Sequence, residues 1–227
     1  MIRHALKLVA ASCAMAFLAG SGQPVAAAPA KDGQGVCEGV RRCHKVARVD
    51  VNGDGDPDPV GLARRKEGDE SYVLVRVKVG PERIVTTRRK TTGFYGPPWQ
   101  GAARLDGVPG KDLLIGYLSG AHTQFFHGIT WREGELTTLD APGRDVTWVI
   151  DGAYSISFGW LRRGSWPEGT IRKRVATRDE SEEFKGRITA YRWKDGGWDV
   201  AWSKSVKPSE DEAYSWGGFH VPGLQRW

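Results

Sequence analysis

The chain has 227 residues, 40% of them hydrophobic, with 33 Lys and Arg against 27 Asp and Glu for a formal net charge of +6. That much apolar chain excludes a disordered polymer and suffices for one domain with a sizeable core. The charge is mild: it suits contact with an anionic cell-wall polymer or with nucleic acid but demands neither.

The first 30 residues read as a signal peptide rather than fold material. Arg3 and Lys7 form a basic start, the run 8–20 (LVAASCAMAFLAG) is apolar, and Val25-Ala26-Ala27-Ala28-Pro29-Ala30 supplies small residues for cleavage between about residues 27 and 30. The apolar run is shorter than the roughly 20 residues that a membrane span needs. No transmembrane segment is expected after cleavage, and the mature chain is expected to be secreted. Cys13 sits inside the apolar run instead of ending it, so it is read as a filler residue that leaves with the signal, not as a lipidation site. Loss of Arg3 and Lys7 takes the net charge from +6 to +4. Residues 31–227 are expected to form a single domain.

Two cysteines remain, Cys37 and Cys43, and an even pair in an exported protein reads as a disulfide. Beyond them the pattern is strand-like. The segments 73–79 (VLVRVKV), 170–177 (TIRKRVAT) and 187–193 (RITAYRW) are rich in β-branched residues with partial alternation, and 30 glycines and 12 prolines break the chain at short intervals. No long amphipathic helix is evident. The expected class is all-β and largely antiparallel.

Residues 50–58 (DVNGDGDPD) place oxygen-bearing side chains at alternate positions: Asp50, Asn52, Asp54, Asp56 and Asp58, with Gly55 sixth. Calcium takes six to eight oxygens, and a tight loop of alternating donors with glycine at the sharp turn is a way of supplying them. Side-chain ligation is assigned to Asp50, Asn52, Asp54 and Asp58, and Asp56 offers its backbone carbonyl. The acidic turn without a metal is the competing reading. Position 12 is Gly61 rather than the bidentate Glu of a helical calcium hand, so the loop is expected between strands, with weak affinity.

Sliding the sequence by 54 residues lays Asn52 on Asp106, Gly53 on Gly107 and Asp58 on Asp112, whereas Arg104, Val108 and Gly110 take the places of Asp50, Asp54 and Asp56. No metal is expected in that second loop, where Arg104 is expected to pair with a remaining carboxylate. Weaker echoes follow: Ile150-Asp151-Gly152 resembles Leu105-Asp106-Gly107, and 193–198 (WKDGGW) resembles 131–136 (WREGEL) as a strand, a glycine turn and a returning strand. Three diverged units are therefore expected, near 44–99, 100–145 and 146–205, followed by a tail whose Trp216, Phe219 and Trp227 act as a closing strap.

The loop DVNGDGDPD, with the degenerate second unit LDGVPGKDLLIGYLSG, resembles the FG-GAP/VCBS type of repeat, and the whole chain resembles small exported actinobacterial proteins built from it. The resemblance covers residues 45–140 well and later residues poorly. It implies four-stranded blade-like units with a calcium-binding loop, carried here by Asp50, Asn52, Asp54 and Asp58. Family blades take about 50–60 residues and propellers have four to eight of them. With three units, a sandwich-like stack or a diverged blade set is expected in place of a closed propeller.

Ten tryptophans mostly suit a β-core, but Trp99 after Pro97-Pro98 and Trp166 before Pro167 stand in loops and are candidates for stacking on a sugar ring. His122 and His127 are five apart and would face opposite sides of a strand, which argues against a shared metal. Residues 179–183 (DESEE) read as a solvated hairpin tip. No G-x-S-x-G, H-E-x-x-H, Walker loop or paired C-x-x-C is present, although a triad needs no local motif. Basic strand residues 172–178 lack a recognisable nucleic-acid fold around them. The sequence thus leans toward a non-enzymatic binding module for an unknown extracellular ligand, cell-wall polymer or protein, with a polysaccharide-binding lectin-like protein or hydrolase as the alternative.

Overall fold

The computed structural model describes residues 35–143 and 146–226; the segment read from the sequence as a signal peptide and Trp227 lie outside them. The chain is all-β. A first sheet runs β1(Cys43–Val49), β2(Asp58–Glu67), β3(Glu70–Val79), β4(Arg83–Thr91) in sequence order. Next come β5(Trp99–Ala103), β6(Asp112–Ser119), β7(Thr123–Arg132) and β8(Glu135–Thr138). The last group is β9(Trp148–Gly152), β10(Ile156–Leu161), β11(Thr170–Arg178), β12(Phe184–Lys194) and β13(Gly197–Val206). A helix of one turn, α1(Glu210–Tyr214), and a short β14(Gly218–His220) complete the chain.

Together with β14, the second and third groups form one ten-stranded sheet, because β7 pairs with β8 through residues 129–132 and with β9 through residues 123–126. All ladders are antiparallel except the three-residue pairing of β14 with β10. The sheets do not close into a barrel.

Side-chain alternation explains the layering. In β3, Val73, Val75, Val77 and Val79 face a core that also holds Val60, Leu62, Leu113, Ile115, Ile129 and Leu136, so the first sheet packs on one face of β5–β8. Leu114 points the other way, into a second core with Phe126, Trp148, Trp160, Ile171 and Phe219. Leu113, Leu114 and Ile115 are all 0% exposed, which is why this strand reads as an unbroken apolar run and not as an alternating one. The β5–β8 layer therefore lies between two others.

Local turn chemistry shapes the hairpins. Glu133-Gly134 (φ 48° and 86°) join β7 to β8, and Asp195-Gly196 (φ 50° and 84°) join β12 to β13. Two successive left-handed residues match the twist of a tight hairpin, and the glycine removes half of the steric cost. These are the two segments whose likeness stood out in the sequence.

The tail after β13 lies across the last layer. Ser209 caps α1 by accepting the Glu212 N–H at 3.2 Å, Trp216 packs with Ala176, Phe184 and Ala213, and Phe219 enters the larger core. Cys37 and Cys43 form a disulfide with Cα atoms 5.3 Å apart. It lies flat on β2: a Cβ at Gly61 would come within 3.1 Å of both sulfurs.

Candidate functional site

The acidic loop occupies the β1–β2 connection. Asp50 accepts the Gly53 N–H at 2.7 Å through Oδ1 and the Gly55 N–H at 3.2 Å through Oδ2. The Asn52 Oδ1 accepts the Asp54 N–H at 3.0 Å, and its Nδ2 donates to Asp54 Oδ2 at 2.7 Å. The Asp56 N–H donates to Asp54 Oδ1 at 2.8 Å. Asp58, the first residue of β2, is buried, and its Oδ2 accepts the Val51 N–H at 2.9 Å and the Asn52 N–H at 3.4 Å. Burial, with a smaller contribution from the negative charges of Asp54 and Asp50, raises the pKa of Asp58, against the lowering effect of those two N–H groups. The exposed Asp54 moves the other way, lowered by its hydrogen bond from Asn52.

The donor chemistry of this loop fits a hard cation: every candidate ligand offers oxygen, and the chain turns through Gly53 and Gly55 at φ 82° and 93°. Among the described residues no ion pair reaches Asp50, Asp54, Asp56 or Asp58. Nor do three His, Cys, Asp or Glu side chains gather there into a cage. The carboxylates of Asp50, Asp54 and Asp58 are turned onto the loop's own N–H groups instead.

The β5–β6 connection repeats the frame with different charges. Asp112 Oδ2 accepts the Leu105 N–H at 2.8 Å, the counterpart of the Asp58–Val51 bond seven residues apart. Asp106 accepts the Val108 N–H at 2.9 Å, as Asn52 accepts that of Asp54. The expected role of Arg104 is corrected here: its guanidinium pairs with Glu168 at 3.0 Å, in the β10–β11 connection. The cation on Asp106 comes from Arg132, at the end of β7. Register explains the choice. Leu113 pairs with Ile129, which places Thr130 opposite Asp112 and Arg132 two residues on; Val60 pairs with Val77, which places Val79 opposite Asp58 and Pro81 two residues on. The first loop has no arginine at the matching place.

The connections also stack in series. A Cβ at Gly53 would lie 2.7 Å from the Pro109 carbonyl carbon, and one at Gly107 would lie 2.8 Å from the Glu168 carbonyl carbon. Lys111 adds a backbone bond, its N–H donating to the Asp50 carbonyl at 2.8 Å. The third member of the series is thus the β10–β11 connection. Ile150-Asp151-Gly152, the segment singled out by its sequence, lies in β9, where the buried Asp151 accepts from Thr123 and bonds His122 Nδ1 at 2.9 Å. His127 is apart from that pair; its Nε2 donates to the Lys90 carbonyl at 2.8 Å, and burial lowers its pKa.

Asp112 offers a pH test. Burial, reinforced by the charge of Asp106, pushes its pKa from 3.8 up to about 7. The unfolded chain releases this proton at the lower value and the folded chain at the higher one. The site's contribution is therefore full below about pH 4 and declines as pH climbs toward about 7. Asp112→Asn keeps an acceptor for the Leu105 N–H and cannot ionise. Urea unfolding is expected to find this variant at least as stable as the parent near pH 8, with its relative advantage shrinking toward about pH 5. A constant difference across that range would contradict the assignment.

Of the two tryptophans expected in loops, Trp166 is in one, whereas Trp99 opens a strand, and they differ in access. The Arg172 guanidinium covers one face of Trp166, 4.0 Å from the ring centroid, and lies 4.9 Å from that of Trp202. Trp99, the first residue of β5, walls a hollow of about 530 Å³ with Pro97, Pro98, Val46 and Leu62. Compared with known proteins, the chain matches no family model, no curated protein sequence and no solved structure. Its chemistry must be argued from its own residues.

Proposed function

We propose that the chain works outside the cytoplasm as a calcium-braced β-repeat protein of the FG-GAP/VCBS kind, and that its role is binding, not catalysis. One observation carries the calcium reading: four carboxylates share nine residues, one is buried, and none has a cationic partner among the described residues, whereas the sister loop draws in Arg132. Asp50, Asn52, Asp54 and Asp58 would hold the ion through side chains and Asp56 through its carbonyl. Calcium supplies positive charge and coordination, with no part in bond making. The protein's share is to fix the loop between two strands and to keep Asp58 desolvated beneath it. The leader-like first 30 residues, the Cys37–Cys43 disulfide and the mild positive charge support an extracellular setting.

Saturating calcium is expected to raise the melting temperature by several degrees, since a ligand at about 100 times its Kd adds about 2.7 kcal/mol. Magnesium, which demands a smaller octahedral site, is expected to do much less. The exposed Asp54 can be changed with little cost to the fold, so Asp54→Ala is expected to abolish the shift in scanning calorimetry. A full shift in that variant removes the metal from this loop.

A second reading is supported by Trp99, whose place on a hollow wall suits stacking on a polysaccharide ring in a lectin-like protein or hydrolase.

A further inference from the structure

At the start of β1, an edge strand of the first sheet, two hollows of about 530 and 350 Å³ come together, the smaller reaching over the ends of β2, β3 and β4, and Arg42 and Arg64 line both. The larger is mostly apolar, with Trp99 and the two prolines facing Val46 and Leu62 of β1 and β2, and His44 beside them. The smaller adds Arg65 and Lys66. No Asp or Glu lines either one.

The arginines meet at the end of the β1–β2 ladder: Cys43 pairs with Ala63, and Arg42, in the turn just before β1, lines the same two hollows as Arg64 of β2. Arg64 is held in place by donating to the Phe94 carbonyl at 3.3 Å and to that of Gly96. Arg42 is exposed and makes no hydrogen bond or ion pair among the described residues. Its backbone takes the left-handed φ of 52°, uncommon for a residue other than glycine, in the turn closed by the disulfide. A guanidinium fork suits carboxylate or phosphate oxygens, and a tryptophan wall suits a flat ring. The volume lies in the range of small-molecule sites, about 300–1,000 Å³.

We propose that this edge binds a small soluble organic anion bearing an apolar ring, with the ring against Trp99 and the anionic group between Arg42 and Arg64. The inference deepens the binding-module reading and names its ligand class.

Titration calorimetry with 2-naphthoate and its neutral isostere 2-naphthalenemethanol tests it. The acid is expected to bind at least about tenfold more tightly than the alcohol, the order expected of a charge-assisted contact. Arg42→Glu is expected to weaken naphthoate by at least about tenfold, and Arg42→Gln by less, with circular dichroism and melting unchanged because the side chain is exposed and unpartnered. Equal affinity for acid and alcohol, unaltered binding in Arg42→Glu, displacement by a neutral oligosaccharide, or no binding up to roughly 10 mM each overturns the proposal. Calcium-dependent melting is read at a different loop, so failure here leaves that reading standing, and failure there leaves this one.

Discussion

Arg132→Ala is expected to cost about 3–5 kcal/mol of folding free energy, the loss typical of a buried ion pair stripped of one partner. The side chain of Asp106 is 1% exposed and that of Arg132 29%, so water cannot take over from the guanidinium. Asp112 stands close enough for its pKa to be raised by the Asp106 charge, which the variant would leave without its cation. Arg132 also donates to Thr130 Oγ1 at 2.8 Å and to the Trp131 carbonyl at 2.6 Å, which fixes its fork over the loop. The remedy is as informative as the damage. Arg132→Met combined with Asp106→Asn removes both charges, and chemical denaturation is expected to show most of the loss recovered. A single variant that loses less than about 1 kcal/mol would mean that the pair contributes no more than a surface contact.

The second large effect is expected at Gly107, where Ala should cost about 2–4 kcal/mol. Two terms combine: a left-handed φ of 80°, which costs a residue with a Cβ roughly 1–2 kcal/mol, and a Cβ that would press into the backbone of Glu168 and Gly169. Gly196 supplies the control. Its φ is 84°, nearly the same, but nothing lies within 4 Å of a Cβ there. Gly196→Ala should therefore show the conformational term alone. If both variants prove equally stable in urea, the connections do not press on one another as described.

The parts that were legible in the sequence are those set by neighbours along the chain. The Glu133-Gly134 and Asp195-Gly196 hairpins follow from turn chemistry, and the Cys37–Cys43 bridge follows from an even pair a short loop apart. The segment 170–177 falls wholly on β11, because β-branched residues on a pleated, half-buried surface leave a local signature. The composition of the acidic loop was equally open to view, and its frame recurs at Asp112.

What stayed hidden depends on register between distant strands. Arg104 adjoins the second loop in sequence but turns to Glu168, while Arg132 arrives from 26 residues away because β6 and β7 pair as they do. The division of β7 between β8 and β9 has no local mark either, and it makes one sheet of two units. Ile150-Asp151-Gly152 carried the right residues in the wrong element; strand β9 uses Asp151 to fasten His122 and Thr123. The meeting of Arg42 and Arg64 in one hollow depends on the pairing of β1 with β2, which leaves no local mark.

An open strand path has a further consequence for a molecule meant to survive in company. Every terminal strand offers unpaired backbone groups to which a stranger's strand could anneal. Here β1 carries His44, Lys45 and Arg48, β4 carries Arg83, Arg88, Arg89 and Lys90, and β13 carries Asp199 and Lys204. The uncharged β5 is shielded differently: the C-terminal segment runs alongside it, with the Gln225 N–H donating to the Gln100 carbonyl at 2.8 Å and the Ala102 N–H to that of Gly223 at 3.1 Å. Cations fence two of the rims, both signs of charge fence the third, and the chain's own end bolts the fourth, so crowding alone gives neighbouring copies little purchase for fibril growth.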